Sequence, residues 1–123
     1  TRRRPDLLLA SSSKHHVITE IDEYQHKSYV EICECARINE IVNSIGGKSV
    51  ILIRFNPDKI TNNNSKVHFD MKDRLEILIE MIKRELIQKY DQFHVKIIQL
   101  FYDDNYESYM PVKEEDITNQ VAI

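Results

Sequence analysis

Residues 49–55 read SVILIRF, and this run leaves the chain few ways to fold. A strand with one wet face alternates apolar and polar side chains. This run does not alternate, so as a strand it has to be covered on both faces. Gly46-Gly47 just before it suits the left-handed cap that closes a helix, and NPD at 56–58 turns the chain out of it. A chain of 123 residues is about one domain's worth, so the cover comes from other elements of the same domain. With only Gly 2 and Pro 3, tight turns are few and the remaining elements should be long and regular.

Those elements can be placed by period and by caps. RRRPDLLLA reads as a short strand opening at Pro5, SSSK at 11–14 as a polar turn, and HHVITEID at 15–22 as a second strand. A helix follows from Lys27 or Ser28 to Ile45, then the strand at 49–55 and a polar loop at 59–66. Asp70 caps a second helix with Asp73 at its third position; Met71, Leu75, Leu78, Ile82 and Leu86 recur at spacings of three and four until about Tyr90. FHVKIIQLFY at 93–102 is the last strand, before an acidic tail whose VKEEDITNQ adds a short helix. Strands returning through helices predict an α/β sandwich with a small mixed four-stranded sheet flanked by helices. One domain spans 1–123, and its opening on Thr1 rather than Met suggests excision from a longer chain.

Charge and cysteine content narrow the function classes. A net charge of -3 rules out a polycation that coats nucleic acid by charge alone, so any such contact has to be local. Arg2, Arg3, Arg4 and Lys14 make the start basic, whereas 103–116 is strongly acidic. Cys33 and Cys35 lie two apart on a helix and point different ways, so they read as packing residues, not as a disulfide or a zinc site. No apolar run is long enough to cross a membrane, and no signal peptide opens the chain. An intracellular setting is expected.

Two sets of acids stand out. Glu34 falls within the apolar stripe made by Ile38, Ile41, Val42 and Ile45. It either snorkels out or sits in a cleft, paired or metal-bound, because burying it bare costs several kcal/mol. Glu20, Asp22 and Glu23 crowd the end of the second strand, with Glu20 and Asp22 on one face. Such a cluster is either a solvated edge or, with Asp6 from the neighbouring strand and Glu34 from the helix, an all-oxygen pocket for Mg²⁺ or Mn²⁺. Gln25, His26, Arg37 and Arg54 frame it. Arg54 ends an apolar strand, where it makes a structural salt bridge or a phosphate contact. A carboxylate-held metal beside arginine and amide donors suits phosphodiester hydrolysis.

The blocks RPDLLL, TEIDEYQH, CECARINEI and VILIRFNPD, in this order over about residues 3–58, resemble the PD-(D/E)XK restriction-endonuclease-like superfamily. Within it they are similar to nuclease domains of large DNA viruses that carry an EIDExQH signature followed by CExxR and IRxNPD. The resemblance implies a metal-dependent endonuclease acting on DNA, with Asp6 and Glu20 as metal ligands and the carbonyl of Ile21 as a third contact. It likens Glu34 to the helix-borne acid that completes coordination, and Arg37 to a helix residue facing the scissile phosphate. The lysine usually found two positions after the strand acid is replaced by Asp22. Gln25 or His26 then supplies a related role, as in very-short-patch-repair-like branches that use histidine, with Lys14 and Lys27 in reserve.

Three functions therefore stand as expectations. The first is the endonuclease, of a cytoplasmic or nuclear and virus-encoded kind. The second is a DNA-binding module of the same fold that no longer cuts and uses Arg2, Arg3, Arg4, Lys14, Lys27 and Arg54 on phosphates. The third is a protein-interaction domain whose acidic 103–116 segment, with Tyr106 and Tyr109, docks on a basic partner or a second copy; other domains of a longer parent chain are further partners to expect. His15, His16, His68 and His94 read as structural, and Asn56 and Asp58 as the residues that cap and turn the buried strand.

Overall fold

A computed structural model describes residues 7–11, 15–21, 31–44, 46–58, 70–102 and 112–121. Strands β1 (Leu7–Ser11) and β2 (His15–Ile21) form an antiparallel hairpin. Helix α1 (Glu31–Ser44) leads to β3 (Ser49–Phe55), and α2 (Met71–Ile87) leads to β4 (Val95–Leu100). The four expected strands are joined by a fifth, β5 (Val112–Asp116), within the segment expected to be helical, and a 3₁₀ turn covers only Thr118–Gln120. VKEED alternates too little to look like a strand. It pairs because β4 presents an open edge, and its charged residues blunt the edge it creates.

Strand order is β1-β2-β3-β4-β5, with β2, β3 and β4 parallel and the two outer strands antiparallel. Every residue of β3 is buried, as the absence of polar alternation in this run requires. On one face, Ile18, Val50, Leu52 and Val95 pack with Ile38 and Val42 of α1. On the other, Val17, Ile51, Ile53, Phe55 and Ile98 pack with Leu78 and Met81 of α2. The two crossovers step the same way across the sheet yet place their helices on opposite faces. They are therefore of opposite hand, and one of them departs from the right-handed rule.

The α2 cap is as expected, with Asp70 Oδ1 accepting from the Asp73 backbone N–H at 2.8 Å. Its buried face is not. Arg74, Leu78, Met81 and Glu85 point inward, while Met71 and Leu75 are exposed. The helix is rotated away from its apolar centre because two charged residues have partners underneath. Arg74 donates to the carbonyls of Asn56 and Asp58 at 3.2 and 2.8 Å and lies over the Phe101 ring. Asn56, fully buried, donates to the Phe101 carbonyl and accepts from the Asp58 N–H, so it caps and turns β3 as expected. Phe101 takes φ 65, a left-handed conformation that strains a bulky residue, and these contacts hold it there.

Ile53→Ala in β3 is expected to cost about 3–4 kcal/mol, since the packed layers on both sides cannot collapse into the void. Ile87→Ala, at an 81 % exposed position, should stay within about 0.5 kcal/mol, and Asp70→Ala should cost about 1 kcal/mol. Urea unfolding of the three variants checks this ranking.

Candidate functional site

At the carboxyl end of the parallel strands, Glu20 of β2 lies in register with Arg54 of β3, and both point to the face covered by α1. The row continues to Gln99 of β4 and Lys113 of β5. Ligands of open α/β sheets bind at this end of the strands. Glu20 is 0 % exposed, where a bare carboxylate would cost several kcal/mol. Arg37, from the middle of α1, offsets that cost with a two-pronged contact: Nη1 donates to Oε2 at 2.6 Å and Nη2 to Oε1 at 3.2 Å. Arg54 adds its charge, Nε lying 3.8 Å from Oε1, an ion-pair distance beyond hydrogen-bond range.

The two arginines differ in access. Arg54 is 5 % exposed, whereas the Arg37 side chain is 26 % exposed. Arg54 thus forms the salt bridge that its place in an apolar strand calls for, and Arg37 is the member that solvent reaches. A guanidinium suits this better than an ammonium, because it stays charged and its planar fork matches a carboxylate or a phosphate.

Three of the side chains expected in the site, Glu20, Arg37 and Arg54, are therefore brought together. Asp6, Asp22, Gln25, His26, Arg2, Arg3, Arg4, Lys14 and Lys27 lie outside the described residues, as do Tyr106 and Tyr109. Glu34 is placed one turn before Arg37 on α1, with its side chain outside the described set. Ile21 follows Glu20 as the last residue of β2, and the hairpin sets Leu7 directly opposite Glu20. Among the described residues, no three His, Cys, Asp or Glu side chains gather as a metal site, and no helix is long and apolar enough to cross a membrane. His15 and His16 lie at the start of β2, the opposite end from Glu20.

That opposite end holds a second charged cluster that sequence reading missed. Glu85 of α2 is 1 % exposed and accepts from the Tyr90 hydroxyl at 2.5 Å, Lys96 Nζ at 3.0 Å and Arg84 Nε at 2.9 Å. Arg84 and Lys96 also reach Glu114 of β5, at 2.8 and 3.3 Å. His15 contacts the Glu85 carbonyl through Nε2 at 2.6 Å and meets the Tyr90 ring edge-on. Burial alone would push the Glu85 carboxyl up, but the Tyr90 hydroxyl, Lys96 and Arg84 outweigh it and hold it below its ordinary value. Burial and Glu85 push the Tyr90 hydroxyl up to about 12. Lys96, which burial alone would lower, is held above its ordinary value by Glu85 and Tyr90. The only trace of this cluster in the sequence was a glutamate on the inward arc of α2.

No family model, curated protein or solved structure matches the chain. Functional inference therefore rests on the motifs and on this geometry.

Two outcomes are expected. In a double-mutant cycle, Glu20→Gln and Arg37→Gln should couple by about 1–3 kcal/mol, because they share one buried contact; chemical denaturation of the four proteins measures it. The Glu85 network should stabilise the protein fully above the ordinary carboxylate value of 4.5 and lose that contribution as pH falls through the lower folded value. For Tyr90 the sign reverses, and its contribution is lost as pH rises from 10.0 through about 12. Glu85→Gln should destabilise by about 3 kcal/mol at neutral pH, with the gap to the parent closing under acid in unfolding curves taken stepwise in pH.

Proposed function

We propose that this chain is a nuclease-type domain that grips DNA through its phosphates and hydrolyses phosphodiester bonds with Mg²⁺ or Mn²⁺, in an intracellular setting. The supporting observation is one contact. The acid of the EIDEYQH motif and the arginine of the CECAR motif, 17 residues apart, meet at the carboxyl end of the parallel strands. The Glu20 carboxylate and Ile21 carbonyl are hard oxygen donors of the kind such an ion takes, and Asp6 and Glu34 would complete the set. Bound there, the ion would lower the pKa of an attacking water and offset charge on the phosphorane.

The chain's own residues then have defined tasks. Arg37, already partly in solvent, turns its fork from carboxylate to phosphate as DNA arrives, which frees oxygens of Glu20. Arg54, deeper, holds Glu20 in place throughout. Gln25 or His26 orients the water in place of the missing lysine.

A second reading, a DNA-binding module that does not cut, is favoured by Asp22 in the lysine position and by Arg37 engaging both Glu20 oxygens. The two separate in one assay, duplex DNA incubated with millimolar Mg²⁺ or Mn²⁺ while binding is followed against salt. Cleavage by the parent that falls at least about 100-fold in Glu20→Gln, with circular dichroism unchanged, is the expected result. Binding that weakens steeply with salt and produces no nicking selects the second reading. An absence of both binding and cleavage refutes both.

A further inference from the structure

The contact between Glu20 and the arginines does not end the polar row at the carboxyl end of the parallel strands. Register carries that row on to Gln99 of β4 and Lys113 of β5, all on the face that α1 covers. Neighbouring strands are about 4.8 Å apart, so the row from Glu20 to Lys113 spans about 14 Å. Burial eases along it: Glu20 and Arg54 are buried, Gln99 is half-buried and Lys113 is exposed. With Arg37 partly in solvent at Glu20, the accessible part of the row has a cation at each end and an amide between them.

Lys113 is the sole base within the acidic segment 103–116. Of the acids beside it, Glu114 points to the opposite face and pairs with Arg84 and Lys96, and Asp116, two residues further on, accepts from Thr118. Glu115 shares the face of Lys113 but stands opposite Ile97, about 7 Å nearer the middle of the sheet. The strand therefore places its one lysine, and none of its acids, on the row of the candidate site.

We propose, on the nuclease-type reading above, that Gln99 and Lys113 are DNA-binding residues. They take phosphates that flank the one held by Arg37, so a DNA strand lies across the ends of β2 to β5 and not along them. A chain of net charge -3 cannot hold DNA by overall attraction, so local cations have to do it. The Lys113 ammonium offers a point charge to a phosphate, and the Gln99 amide donates to a phosphate oxygen without adding charge. Contacts of this kind set where the strand lies and carry no base preference.

Fluorescence anisotropy of a labelled DNA duplex with the whole chain, in EDTA or, if binding needs a cation, in Ca²⁺, tests this between about 50 and 200 mM salt. Losing one phosphate-bound lysine lowers the slope of log K against log salt by about 0.9. The expected result is that loss in Lys113→Gln, with affinity about five- to ten-fold weaker near 0.1 M salt. Lys113→Arg should regain the full slope, with circular dichroism unchanged in both variants. Gln99→Ala should weaken binding about two- to ten-fold with the slope unchanged. Lys48→Gln, at an exposed position at the other end of the sheet, should alter neither slope nor affinity. A parent that binds duplex but keeps its slope in Lys113→Gln overturns this inference alone, as does an equal loss in Lys48→Gln. A parent that binds no DNA in either condition overturns the nuclease-type reading as well.

Discussion

The burial of β3 on all sides sets the terms for the rest of the molecule. Its edges are paired to β2 and β4, and its faces are covered by α1 and α2, so no atom of residues 49–55 has easy access to water. Arg54 breaks the apolar run, and its charge has to be answered at the same depth. Its register neighbour Glu20 does so, and that carboxylate in turn needs the stronger contact with Arg37. The candidate site thus also solves a packing problem. A basic residue near the end of a doubly covered strand recruits an acid from the next strand, and the acid recruits a second base from the covering helix.

Two buried carboxylates organise the molecule, at opposite ends of the sheet and under opposite helices. Glu85 is surrounded by donors, with tyrosine, lysine and arginine all engaged on its oxygens, and it ties α2 to β4 and, through Glu114, to β5. Such a filled arrangement belongs to structure. Glu20 is held instead by two arginines, Arg37 from the covering helix and the more deeply buried Arg54 from the neighbouring strand. Near the Glu20 end, the strained Phe101 is pinned by Asn56 and Arg74, so the exits of β3 and β4 are held rigidly together.

Much of this fold was legible because its signals are local. The SVILIRF run, the glycine pair before it and the Asp70 cap each act within a few residues, and the strands and helices they mark are where they were expected. What escaped depends on contacts distant in sequence. β5 is a strand only because β4 offers an edge, and α2 is rotated because Arg74 and Glu85 have partners on other elements. A period of 3.6 cannot reveal which charged residues will be paired, so it assigned Met71 and Leu75 to the core in their place. In the site, Glu20, Arg37 and Arg54 were legible as anomalies, charges where apolar residues were due. Their mutual arrangement required the register between β2 and β3.

The strand order repeats the order of the chain, each strand lying beside its predecessor. On a ribosome, such a sheet grows at a single advancing edge, with no strand inserted between two already laid down. The vulnerable moment comes after β3 has emerged and before β4 can join it, while α2 and its flanking segments are still being made. During that interval the most apolar strand of the sheet presents one bare edge, a template for pairing with a neighbouring nascent chain. The time taken to translate 56–94 sets how long that edge stays bare.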